Sequence, residues 1–277
     1  MTAVRNDDDL GRAHNGDVSL AYERIGPREA PTVVFVEGLG YGRWMWRWQR
    51  SALAEYERIV WDNRGTGDSD VPEGPYSIRE MADDLEAVLA DAGVERAHVV
   101  GASMGGMIAL QYALDHDRAV SLTLLSTTPG GPDTVPIPEE TRDRIFGLPD
   151  DIDEREAIRR KMAPALSAGF DDWHSDLYEQ IVDWRLESDA PERAREWQAA
   201  AVAAFDVSDR LEEVTLPALV VHGTDDRVVP VENGRLLADR LPNAEFLELG
   251  GGPHLVFIEQ AEAVNDRLRE FLDGLRA

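Results

Sequence analysis

The chain has 277 residues, enough for one large α/β domain with an insertion, and a formal net charge of −26 from 54 acidic and 28 basic residues. That balance disfavours nucleic-acid binding, which needs a basic face; no apolar run reaches the length of a membrane span, and the absence of cysteine excludes disulfides and thiolate metal sites. Lys161 is the only lysine and the acids are spread along the chain, a composition that fits work in high salt better than an acidic surface for a basic partner.

Residues 1–15 are polar, with Asn6-Asp7-Asp8-Asp9 and no apolar run, so no secretory signal is expected and the default location is cytoplasmic. Strands are predicted over 18–22 and 32–36, the second followed by Glu37-Gly38-Leu39-Gly40. Next comes Tyr41-Gly42-Arg43-Trp44-Met45-Trp46-Arg47-Trp48. Core packing accounts for one or two of its indoles. Their position beside Leu39 predicts that Gly38, Tyr41 and Trp44 share in an apolar substrate wall. A strand over 58–61 leads to Asp62-Asn63-Arg64-Gly65-Thr66-Gly67-Asp68-Ser69, and 78–92 reads as a helix ended by Gly93.

Then follows Val99-Val100-Gly101-Ala102-Ser103-Met104-Gly105-Gly106, an apolar strand (98–100) running through Gly-x-Ser-x-Gly into a helix from Met104 to about Leu114. The five-residue pattern alone occurs by chance in Gly-rich loops; the strand before it and the helix after it supply the confirming context. The spacing suits a serine on a turn so sharp that its Oγ projects above the sheet, with Gly101 and Gly105 leaving room for close backbone approach. The helix start points free N–H groups and a positive dipole end at the same spot.

A strand over 121–125 ends in Ser126-Thr127-Thr128-Pro129, without a carboxylate. From 132 to 211 the alternation of strand and helix stops; the segment is helical in pattern and holds Trp173, Trp184 and Trp197, expected mostly to pack its helices together, with one available to line a pocket. Strand 218–221 then runs into His222-Gly223-Thr224-Asp225-Asp226. Strand 245–249 precedes Gly250-Gly251-Gly252-Pro253-His254, and 255–275 reads as the last helix. A neutral hydroxyl attacks poorly, so Ser103 needs a base and an orienting acid. Of six histidines, His14, His98, His116, His174 and His222 are read as structural, His222 with some doubt because it ends the strand before the acidic turn. His254, on a Gly-rich loop before the final helix, is the candidate base.

These residues resemble the α/β-hydrolase fold over nearly the whole chain: a mostly parallel central sheet flanked by helices, with an inserted helical cap. The resemblance implies a core made of 1–131 and 212–277 and a cap over 132–211 that roofs the serine. It implies the chain order Ser103, Asp226, His254 for a catalytic triad, with Asp226 rather than Asp225 as the last position of Gly-x-x-Asp. Some relatives carry the acid after the sixth strand, where this chain has none. The backbone N–H groups of Leu39 and Met104 are the implied oxyanion donors. Glu37 replaces a usual histidine in the oxyanion loop, and its carboxylate would oppose a developing oxyanion unless turned away or paired. A serine at the elbow separates the chain from the dehalogenases and epoxide hydrolases of this fold, which are expected to use aspartate there.

The reading is therefore a serine hydrolase acting on a small-molecule ester, lactone or thioester with an apolar acyl part, needing no metal or organic cofactor. Within the fold, the segments 72–78 and 103–107 resemble the enol-lactonase and methyl-esterase branch. A C–C bond hydrolase, a cofactor-free perhydrolase and, from another class, a ligand sensor on a hydrolase scaffold are the alternatives. The sequence leaves the oligomeric state open, a homo-oligomer included.

Overall fold

The computed structural model describes residues 9–276 apart from 148 and 150, so most of the polar stretch on which the absence of a secretory signal was read lies outside the described residues. In chain order the elements are β1 (Asp9–Asn15), β2 (Val18–Ile25), β3 (Thr32–Val36), α1 (Arg47–Ala52), β4 (Glu57–Trp61), α2 (Ile78–Asp91), β5 (Ala97–Ala102), α3 (Met104–Asp115) and β6 (Ala119–Leu125). Then come five helices, α4 (Glu139–Phe146), α5 (Glu154–Met162), α6 (Phe170–Trp173), α7 (Ser175–Ser188) and α8 (Glu192–Ala204), and finally β7 (Ala218–Gly223), α9 (Val231–Arg240), β8 (Ala244–Leu249), α10 (Val256–Glu259) and α11 (Ala261–Gly274).

The strands form one sheet in the order β1-β2-β4-β3-β5-β6-β7-β8. β2 runs antiparallel to both its neighbours, β1 and β4, while every pairing from β4 to β8 is parallel. The central strands β3, β4, β5 and β7 are buried along their whole length, which is why they read as continuous apolar runs. Alternation along β3 sends Val34 and Val36 into a core with α2 and α3, and Val33 and Phe35 into a second core with α10, α11 and the helices after β6.

Two elements differ from the sequence expectation. β1 lies where a polar segment was read: it is an edge strand with only Ala13 fully buried, joined to β2 through Gly16 at φ 60°, and an edge facing water carries no apolar signature. The last helix, expected over 255–275, is broken at Gln260, whose backbone (φ −113°, ψ 39°) is not helical.

The helices after β6 leave and re-enter the sheet at one point: Gly130 bridges to Asp206, and Val207 N–H donates to Pro129 at 3.0 Å. They are tied to the rest by polar contacts, those of Gln198 buried. Gln198 of α8 accepts from Gly40 N–H at 2.8 Å and donates to Arg64 O at 2.9 Å and Thr66 Oγ1 at 3.0 Å. Arg227 donates to Ala163 O and Leu166 O, and Leu255 N–H to Ala165 O. Two tryptophans of this region pack against cores that its helices share with the sheet, Trp184 with residues of α5–α7 and Trp197 with residues of α8. Trp184 sits against Trp44 and Trp48, Trp197 against Tyr76, and Trp173 is 73% exposed. Among the described residues, no helix is long and apolar enough to cross a membrane.

Candidate active site

Ser103 stands between β5 and α3 with φ 52° and ψ −118°, a conformation that a non-glycine residue holds only when its surroundings impose it, at a cost of about 1–3 kcal/mol. The surroundings are visible. Ser103 N–H donates to Leu125 O at 2.9 Å, and Thr127 Oγ1 donates to Ser103 O at 2.7 Å. A Cβ on Gly101 would lie 2.2 Å from Gly105 O, and one on Gly105 would lie 2.0 Å from Val36 O. The two glycines are thus required by backbone contact between β3, β5 and α3.

The other two candidates meet at the ends of β7 and β8. Asp226 is 6% exposed, with all its acceptor sites served. Oδ1 accepts from Val228 and Val229 N–H at 2.8 Å each, and Oδ2 from His254 Nδ1 at 2.8 Å and His222 Nε2 at 3.2 Å. Burial pushes this carboxyl up, but the His254 imidazole and the hydrogen bonds from His222 and His254 outweigh it and hold the group at about 2. Asp226 is therefore ionised at neutral pH. Because His254 Nδ1 faces a carboxylate, Nδ1 carries the proton and Nε2 is left as the basic nitrogen. Asp225 is exposed, with its carboxylate accepting from Thr224 Oγ1 at 3.0 Å, and plays no part in this cluster.

Ser103 and His254 line one cavity of about 940 Å³ together with Gly38, Leu39 and Tyr41. No hydrogen bond joins Ser103 Oγ to His254 among the described residues. Such contacts are often loose before a substrate is bound. Gly38 packs on the serine, its Cβ position 3.6 Å from Ser103 Cβ. The Leu39 and Met104 N–H groups donate to nothing among the described residues, while the Met104 side chain is buried in the core.

Trp44 is a correction. It does not line the cavity but is buried behind it, between Tyr41 and Trp184, with Nε1 donating to Asp189 Oδ1 at 3.0 Å. Nor does Trp173, Trp184 or Trp197 line it.

Glu37 is fully buried, and neither carboxyl oxygen has a hydrogen-bond partner. Burial first, and the nearby Asp62 carboxylate second, push its carboxyl well above the usual range. Burial thus favours the neutral form of Glu37, which weakens the charge that would oppose an anion at the neighbouring Leu39 N–H. Asp62 beside it is raised by burial to about 6, against the pull of Arg43, whose Nε lies 3.3 Å away.

The sequence reading placed His222 among structural histidines. Its Nε2 faces two acceptors, Asp226 Oδ2 and Val229 O at 2.8 Å, so it is a second imidazole donor to Asp226. The available signal was its position four residues before Asp226. Four cations on the cavity wall, Arg142, Lys161, Arg185 and Arg195, were also missed.

Residues 31–261 match a family described as alpha/beta hydrolase fold. A putative carbamate hydrolase RutD of Caulobacter segnis is 32% identical over 248 residues, covering 87% of this chain and 91% of that protein. Among solved structures, an enol-lactonase from Burkholderia xenovorans is similar with a TM-score of 0.80 at 28% identity, over 95% of this chain and 100% of that one. An N-acyl homoserine lactone degrading enzyme is similar with a TM-score of 0.78 at 31% identity, over 94% of this chain and 100% of that one.

Proposed function

The chain belongs to the alpha/beta hydrolase fold family and is a hydrolase of that fold, and from that premise we propose that it cleaves a carboxylic ester, lactone or related acyl compound through an acyl-enzyme on Ser103. In this reading His254 Nε2 takes the Ser103 proton as Oγ attacks the acyl carbon, then passes it to the leaving group. Asp226 holds the imidazole in the required tautomer and offsets its positive charge. The Leu39 and Met104 N–H groups hold the oxyanion, a contribution worth about 10²–10³-fold per donor. Water then attacks the acyl carbon as His254 Nε2 takes its proton; the bond to Oγ breaks, the proton passes to Oγ, and the carboxylic acid leaves. The helices over 132–211 act as a cap on the core formed by 1–131 and 212–277, walling the acyl-enzyme from bulk solvent.

The observation that carries the reading is the convergence of three features: a serine held at positive φ at a helix start, two N–H groups beside it that have no partner among the described residues, and an Asp226–His254 pair at 2.8 Å whose imidazole shares the serine's cavity. The names borne by the relatives widen the range of acyl carbons from esters to lactones and carbamates, all open to the same attack.

The test is hydrolysis of short- and medium-chain 4-nitrophenyl esters at high and low salt. Wild type is expected to turn over, and Ser103→Ala to lose at least about 10⁴-fold in kcat while its melting temperature stays within a few degrees. A folded Ser103→Ala variant that keeps most of the rate overturns the reading.

A further inference from the structure

The cavity above Ser103 has a cationic corner for which the hydrolytic steps have no use. It is formed by Lys161 on α5, Arg185 on α7 and Arg195 on α8. Arg185 is compensated: its Nε lies 2.6 Å from Asp189 Oδ2, and its guanidinium stacks 4.3 Å over the Tyr41 ring. Asp189 is then fully engaged, its other oxygen accepting from Trp44 Nε1. Lys161 and Arg195 have no ion-pair partner among the described residues. Arg195 Nε is buried without a hydrogen bond, and the guanidinium's one hydrogen bond runs from Nη2 to Ala190 O at 3.2 Å. The remaining charges on the wall, Arg142 and Asp143, pair with each other at 3.7 Å.

Two cations without an ion pair among the described residues, with Glu192 as the carboxylate acting on both from a distance, are thus kept on the wall of one cavity, in a protein of net charge −26 whose only lysine is one of the two. Burying a cation without a partner is unfavourable, and an anionic guest would relieve it. Both side chains are pulled below their ordinary values, first by burial and next by a neighbouring cation. The corner adjoins the oxyanion loop: a Cβ on Gly40 would lie 3.0 Å from Arg195 Nε. Much of the remaining wall is apolar, with Met107, Val135, Ile137 and Phe205.

We propose that the substrate of this site is an acyl compound that also carries a carboxylate, and that Lys161 and Arg195 are the specificity-determining residues that receive that carboxylate while the acyl carbon lies at Ser103. The position of the scissile bond rests on the serine-hydrolase reading; the charge of the substrate rests on the two cations alone.

The test separates the two. Ser103→Ala protein is titrated calorimetrically with monoethyl glutarate and with its neutral counterpart, diethyl glutarate, so binding is read without turnover. The monoacid is expected to bind about tenfold tighter or more. Adding Lys161→Met, or separately Arg195→Met, should shrink that advantage to less than about threefold, and Lys161→Arg should restore most of it. Equal affinity for acid and diester, no binding of the acid, or an acid preference that survives both substitutions overturns the proposal. None of these outcomes depends on Ser103 being a nucleophile, which covalent labelling of wild type decides independently.

Discussion

Two carboxyl groups lie buried on opposite sides of Ser103, and the protein treats them in opposite ways. Asp226, in the turn after β7, is met by four donors and held at about 2, fully ionised. Glu37, in the turn after β3, is met by none and is pushed well above the ordinary range. Burial acts in the same direction on both; the neighbouring charge, an imidazole at Asp226 and the Asp62 carboxylate at Glu37, together with the hydrogen bonds to Asp226, separates them. On the proposed mechanism, the difference places a negative charge behind the imidazole, where a positive charge would form, and weakens one beside the N–H groups that would hold a negative charge.

The largest effect expected on this contrast comes from Asp226→Asn. Replacing the carboxylate with an amide removes the charge and leaves the imidazole free to take the wrong tautomer, so kcat should fall by about 10⁴-fold in ester hydrolysis with the fold retained. A loss below tenfold would mean that Asp226 does not orient His254. The same residue marks the acid side of stability. Its folded value of about 2 lies below its ordinary 3.8, so the unfolded chain binds more protons between the two. The stability it contributes, about 2 kcal/mol, is present above pH 4 and lost as pH falls towards 2. Denaturant melts of wild type and Asp226→Asn should converge over that interval.

His222→Phe sharpens the comparison by removing one donor while keeping a ring. A hydrogen bond to a charged group is worth about 1.5 kcal/mol or more, so kcat should fall roughly tenfold. An unchanged rate would show that three donors are enough to hold Asp226 in place.

Glu37→Gln is the smallest change in activity and the most telling for charge. Gln resembles the neutral acid in shape, so kcat/KM should stay within about threefold. Stability behaves differently with pH. In wild type the folded state retains a proton that the unfolded state releases above its ordinary value of 4.5, so Glu37 costs stability as pH rises through neutrality. Glu37→Gln lacks that cost and should gain on wild type by up to about 1.4 kcal/mol per pH unit, read from urea melts between pH 5 and 7. A difference flat in pH would mean that Glu37 is ionised in the fold.

Much of this architecture is legible in the sequence because it rests on local pattern. Continuous apolar runs mark strands buried on both faces, and the glycines flanking Ser103 stand where backbones touch. What was not legible depends on neighbours brought from far along the chain. The β1 edge faces water and has no apolar signature. Trp44 stands beside the oxyanion loop in sequence, yet Asp189, far along the chain, holds its indole behind the wall. The upward push on the Glu37 carboxyl comes from burial and from Asp62, a neighbour brought in from the end of β4, which no motif records. Lys161 and Arg195 lie on different helices and meet only because both line one cavity.

The central claim, that Ser103 is an activated nucleophile, is tested most directly by treating the folded protein with a fluorophosphonate and locating the adduct by peptide mass mapping. The account predicts one adduct, on the peptide carrying Ser103, and none in Ser103→Ala. A folded wild-type protein that takes up no label, or one whose label sits elsewhere and persists in Ser103→Ala, would contradict it.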